Sequence, residues 1–192
     1  MPDAVLFQTD GPVCTILLNR PECRNAVDGP TAAALLDAFE RFEADSALRV
    51  AVLGGTGGHF CAGADLQTGQ SFRFDYSQPY QALADLFRQA RRCTVPLIAR
   101  VNGACMAGGM GLLAMCDLAV ASHSATFGLP EVKVGVFPAQ VLAVLQHQLP
   151  RRVLNELCLT GEPMNADRAL AAGLVNEVTE PEALDGAVDA LL

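Results

Sequence analysis

The chain has 192 residues, is 51% hydrophobic and carries a formal net charge of −8. That is enough apolar material for one buried core and too much for a disordered segment. No apolar run is long enough to cross a bilayer, and the acidic balance argues against a nucleic-acid partner.

In chain order, the first predicted element is a strand over residues 13–18, after the turn Asp10-Gly11-Pro12. Residues 21–30 read as a loop. Residues 31–42 read as a helix, because Leu35, Leu36, Phe39 and Phe42 recur at helical spacing. Residues 49–53 form a buried-type strand. Residues 67–79 read as a polar loop with aromatic residues, able to lie over a site. A second helix spans 79–92, with Leu83, Leu86 and Phe87 on one face. Strands follow over 95–101 and 117–121. Helices follow over 140–147 and 151–159, separated by Pro150, and over 166–172, stopped by Gly173. A last helix opens near Pro181. Strands alternating with helices indicate an α/β core, and no linker divides residues 1–192.

Two glycine-rich segments carry the chemistry. The first is His59-Phe60-Cys61-Ala62-Gly63-Ala64-Asp65-Leu66, after an apolar run and the loop 54–58. The second is Asn102-Gly103-Ala104-Cys105-Met106-Ala107-Gly108-Gly109-Met110-Gly111. Each follows a strand and reads as opening a helix. In the first, the amides of residues 62–66 are expected to be free. Two such segments can aim two backbone N–H groups at one oxygen, which is how an oxyanion hole is built. Either loop alone is more simply a turn.

These segments, together with Phe127-Gly128-Leu129-Pro130-Glu131, Leu159-Thr160-Gly161 and Ala172-Gly173-Leu174-Val175-Asn176, resemble the crotonase (enoyl-CoA hydratase/isomerase) superfamily in order and spacing. The resemblance runs from Val5 to about Val178. It implies a spiral of repeated ββα units, usually assembled as trimers or pairs of trimers. It also implies a single core domain over 1–192 that lacks much of the family's usual C-terminal helical segment. The implied ligand is an acyl-CoA thioester. Coenzyme A then enters as part of the substrate, with no metal or redox cofactor.

Residue by residue, Ala64 and Gly108 match the family's two oxyanion-hole donors, and Glu131 matches its catalytic glutamate. Apolar neighbours would raise the pKa of that carboxyl toward a useful range. Arg24, Ala62, Gly63, Asp65 and Leu66 match segments that border the CoA site, although Arg24 reads equally well as a solvated loop residue. Asp65 reads better as a local cap or a neighbour of the CoA nucleotide than as an acid–base group. Gly111 stands where the best-known hydratases carry a second glutamate, and Gln67 where many relatives carry a lysine. Phe72, Phe74, Phe137 and Met110 are candidates to line the acyl pocket, though core packing is the commoner role for such residues. The resemblance favours hydration of a 2-enoyl-CoA; isomerisation of its double bond and non-catalytic acyl-CoA binding are the alternatives.

Other chemistries fit less well. Gly109-Met110-Gly111-Leu112-Leu113-Ala114 has the spacing of a dinucleotide fingerprint, but the preceding apolar strand ends at Val101 and the helix must finish before Asp117. The seven cysteines are scattered and form no CxxC pair, which suggests reduced thiols in the cytoplasm. The N-terminus shows no basic-then-apolar leader. His59, His123 and His147 lie far apart in sequence and form no metal-ligand motif.

Overall fold

The structure is a computed structural model that describes residues 3–65 and 82–192. It opens with a hairpin. β1 (Val5–Asp10) and β2 (Val13–Leu18) pair from Val5 opposite Leu18 to Asp10 opposite Val13. The two-residue connection starts with Gly11 at φ 53°, a conformation that hairpin loops of this length assign to glycine. Cys14, Ile16 and Leu18 of β2 point inward at period two. α1 (Gly29–Ala44) follows, longer at both ends than the predicted helix. Its cap is Asp28, whose carboxylate accepts from the Thr31 N–H at 2.8 Å and the Thr31 hydroxyl at 2.6 Å.

From there one unit recurs three times. β3 (Val50–Gly55), β5 (Leu97–Val101) and β7 (Leu118–Ser122) are parallel neighbours. With β10 (Glu177–Thr179) they complete a six-stranded sheet of order β1-β2-β3-β5-β7-β10. Each of the three then leads into a short strand of a second sheet: β4 (His59–Cys61), β6 (Ala104–Met106) and β8 (Thr126–Gly128), again parallel neighbours. The helices that follow are α2 (Ala82–Ala90), α3 (Gly108–Ala114) and α4 (Ala139–Leu145). Strand, strand, helix, repeated with a constant step along two sheets, is a ββα spiral. α5 (Arg151–Thr160), β9 (Met164–Asn165), α6 (Ala166–Ala171) and α7 (Leu184–Asp189) complete the described chain.

The large sheet is covered on both faces. β3 is buried at all six positions, as its unbroken apolar sequence requires of a central parallel strand. One face packs Leu53, Ala99 and Ala121 toward the main core, with Phe39 and Phe42 of α1. The other packs Val50, Val52, Ile98 and Val120 against Leu184 and Val188 of α7. No helix among the described residues is long and apolar enough to cross a membrane.

Candidate active site

The three short parallel strands set the site. β4, β6 and β8 end side by side, and their exits deliver Ala64, Gly108 and Glu131. In open parallel α/β sheets, ligands bind beyond the carboxyl ends of the strands.

Residues 62–65 are irregular, with Gly63 at φ 95°, and Ala64 makes an isolated parallel bridge with Val27; the helix expected to open here would continue outside the described residues. Three of the four amides are engaged. Ala62 N–H donates to the Arg24 carbonyl at 3.0 Å, and Asp65 N–H to the Val27 carbonyl at 2.9 Å. Gly63 N–H reaches the Cys61 sulfur at 3.4 Å. Ala64 N–H alone in this stretch bonds to no described residue. Among the described residues the expected row of free amides is therefore reduced to one, because the loop 24–27 takes two of the others and the Cys61 sulfur the third.

That neighbouring loop is held by two side chains. Asn25 is fully buried at φ 56°. Its Nδ2 donates to the Thr56 and His59 carbonyls at 2.9 and 2.8 Å, and its Oδ1 accepts from Arg20 N–H at 2.9 Å. Arg20 bridges Asp28 at 3.1 Å and Asp65 at 3.0 Å, and donates to the Ala26 carbonyl at 2.7 Å. Asp65 is thus a buried structural anion. The Arg20 partnership and the Thr31 bonds hold the Asp28 carboxyl below its usual range against the opposing effect of burial, the largest single influence on it. These roles of Arg20 and Asn25 left little trace in sequence; a polar pair after a Pro-bounded loop is ordinary until its burial is known.

β6 ends in a strained turn. Ala107 has φ 50°, ψ −117°, a conformation that disfavours residues with a Cβ. Its N–H donates to the Gly128 carbonyl at 2.9 Å. Gly108 then opens α3 with its own N–H bonded to no described residue. The two turns touch. A Cβ on Gly63 would lie 2.6 Å from Ala107 Cβ and 3.3 Å from Gly108 N, and one on Gly108 would lie 3.9 Å from Ala64 N. Two unspent N–H groups therefore sit next to each other, Ala64 from one turn and Gly108 from the other. Gly109 has no room for a side chain, since its Cβ would meet the Cys61 carbonyl at 2.5 Å.

Glu131 lies in the 3-10 turn Pro130–Val134 that follows β8. It is 8% exposed, and its Oε2 has no hydrogen-bond partner among the described residues. Burial pushes its pKa up. The thiols nearby are poor nucleophiles. Burial drives Cys61 up to about 12 and Cys105 well above its ordinary value. No group of three or more metal-ligating side chains is placed to hold an ion among the described residues.

The remaining predicted residues divide. Arg24 is exposed and left-handed at φ 57°, with its carbonyl bound to Ala62 beside the site. Gly111 faces Phe87 of α2: its Cβ would meet the ring at 2.4 Å. Phe137 is 69% exposed, past the glutamate turn, while Met110 is fully buried core. Leu66, Gln67, Phe72 and Phe74 lie outside the described residues. α3 ends at Ala114, too short for the helix of a dinucleotide-binding βαβ unit.

The fold and these turns define a crotonase-type α/β protein. The chain belongs to the enoyl-CoA hydratase/isomerase family, whose model matches residues 8–190. It is 40% identical over 184 residues to the mevalonyl-coenzyme A hydratase sidH of Aspergillus fumigatus, covering 90% of this chain and 64% of that protein. It is 35% identical over 194 residues to the carnitinyl-CoA dehydratase of Proteus mirabilis, covering 97% of this chain and 72% of that one. The crystal structure of an enoyl-CoA hydratase from Mycobacterium smegmatis superposes with a TM-score of 0.93 at 36% identity, over 98% of this chain and 75% of that one.

Proposed function

We propose that this chain hydrates a 2-enoyl-CoA thioester. The observation that carries the reading is that two unspent N–H groups and one buried carboxyl, its Oε2 without a partner among the described residues, lie at the ends of adjacent parallel strands. Ala64 and Gly108 N–H donate to the thioester oxygen. Glu131 takes a proton from water as its oxygen attacks C3, and the electron pair moves through C2 onto the thioester oxygen. The two N–H groups stabilise the resulting enolate; losing one such donor costs about 3–4 kcal/mol of barrier. Glu131 then returns its proton to C2, so one water is added and the carboxylate is regenerated.

No metal or redox cofactor enters these steps. Coenzyme A is carried in on the substrate, and exposed Arg24, beside the site, is the proposed contact for one of its phosphates. The printed names of sidH and the carnitinyl-CoA dehydratase describe addition or removal of water on CoA thioesters, which favours hydration over isomerisation. One observation favours the second reading. With Gly111 in place of a second carboxylate, Glu131 alone can carry a proton from C2 to C4 of a 3-enoyl-CoA. A homo-oligomer, trimer or hexamer, is the assembly proposed, and Val132, Val134 and Phe137 near Glu131 offer exposed apolar surface for such a contact. All seven cysteines are free, in keeping with a cytoplasmic setting.

The test is turnover of crotonyl-CoA and of a 3-enoyl-CoA by the native chain and by Glu131→Gln. Hydration that is lost in the variant supports the proposal. Isomerisation without hydration replaces it with the second reading.

A further inference from the structure

α2 and α3 meet face to face at two glycines of α3. Gly108 and Gly111 lie three residues apart on α3, hence on one face. Leu83 and Phe87 lie four apart on α2, hence also on one face. The two faces oppose each other position by position. A Cβ on Gly108 would lie 3.8 Å from Leu83 Cδ2, and a Cβ on Gly111 would lie 2.4 Å from Phe87 Cζ and 3.0 Å from Cε2. Leu83 therefore backs the turn that carries one N–H donor. The tip of the Phe87 ring fills the space that a side chain at position 111 would enter. The ring is 4% exposed, so it is held by the core behind it and is not a loose cover.

This has two consequences for a substrate whose carbonyl oxygen lies at Ala64 and Gly108. The next turn of α3 beyond Gly108 carries Gly111, and the Phe87 ring closes the space over it to any acyl chain that runs that way. A carboxylate at 111 and the ring at 87 also exclude each other, so the ring and the glycine form one device.

We propose that Phe87 is the specificity-determining residue of this site: with Leu83 it walls the acyl passage over Gly111 and restricts the substrate to short acyl groups. This rests on the acyl-CoA reading above.

The experiment compares the native chain, Phe87→Ala and Phe87→Leu. Thermal melting checks folding. Calorimetry measures binding of butyryl-CoA and decanoyl-CoA, and kcat/KM is measured for crotonyl-CoA and trans-2-decenoyl-CoA. The native chain is expected to prefer the four-carbon ligand by about tenfold or more, the scale on which a hydrophobic pocket discriminates methylenes. Phe87→Ala shifts the ratio toward the ten-carbon ligand by about tenfold or more, with Phe87→Leu between. A purely structural role would weaken both ligands alike and leave the ratio fixed. A ratio within twofold of native in the folded variants overturns the inference, as does a native preference for decanoyl-CoA. Should Phe87→Ala fail to fold, Phe87→Leu decides alone. A native chain that binds neither ligand overturns the acyl-CoA reading together with this one; a native chain that binds the ligands but shows a fixed ratio in the variants overturns this one only.

Discussion

Gly63→Ala tests the contact between the two donor turns. The added methyl would stand 2.6 Å from Ala107 Cβ, 3.0 Å from the Met106 carbonyl oxygen and 3.3 Å from Gly108 N. Carbon atoms in contact prefer about 3.5–4.0 Å, so the turns must part by about 1 Å. The backbone cannot absorb this cheaply. Gly63 sits at φ 95° and Ala107 already sits at φ 50°, and a non-glycine residue in such a conformation costs about 1–3 kcal/mol. A reacting group misplaced by about 1 Å can cost about 100-fold in rate. We therefore expect kcat for crotonyl-CoA hydration to fall about 100-fold, with KM changed much less and the melting temperature lowered. Gly58→Ala is the control. Nothing lies within 4 Å of its Cβ and its φ is not positive, so activity and melting should stay within about twofold and a degree or two of native. Turnover is followed by loss of the enoyl-thioester absorbance, and folding by circular dichroism. A folded Gly63→Ala protein within threefold of native kcat would refute the claim that these turns place the donors.

Glu131→Gln should lower turnover by about 100-fold or more while acyl-CoA binding is kept; activity near native in this variant would remove Glu131 from the mechanism. Because burial raises the Glu131 pKa, the folded chain keeps this proton to higher pH than the unfolded chain does. Its ionisation therefore costs stability as pH rises between the ordinary glutamate value and the raised one. Over that interval the native chain should lose stability relative to Glu131→Gln, measured by urea unfolding, while the native kcat/KM rises as the base ionises. Gly108→Val should abolish activity in a folded protein, since the first carbon has room at 3.7 Å or more and only the branches reach toward the thioester; surviving activity in the same assay would exclude Gly108 as a donor. Arg20→Met should destabilise the chain by on the order of 2 kcal/mol, because Asp65 stays buried without its guanidinium; unchanged unfolding would show that the bridge is dispensable.

Long periodic elements were legible in the chain. α5 came close to its predicted bounds because Pro150 marks its start; α1 was found by its Leu and Phe spacing, while its Asp28 cap puts the start two residues earlier than predicted. The strands of the second sheet did not announce themselves. β4, β6 and β8 are three residues each, too short to show alternation, and only the glycine-rich exits marked where they end. The donor turns could be read because close backbone approach demands glycine or alanine, a constraint written in residue type. That Ala64 keeps its N–H while its neighbours spend theirs depends on the loop 24–27 lying alongside, a contact between distant segments that no local pattern encodes. The same holds for Phe87, which reads as one more apolar residue on a helix face until Gly111 is found opposite its ring.

Departures from the rules of a stable fold gather at one place. Natural chains satisfy buried polar groups and avoid strained backbone unless something else requires them. Here the unpartnered Glu131 Oε2 is buried, Ala107 is strained, and Ala64 and Gly108 keep unspent N–H groups at the ends of neighbouring strands. Each would be relieved by an ordinary substitution: glycine at 107, or an apolar residue at 131. The other unpartnered buried atoms among the described residues, His59 Nδ1 and Asn102 Oδ1, flank the glycine turn at 55–58, at the opposite ends of β4 and β6 from the donor turns. These departures gather at the exits of three neighbouring strands, β4, β6 and β8. The local cost is therefore best understood as preorganisation. On the proposed function, the two N–H groups receive a thioester oxygen and the carboxyl takes a proton from water.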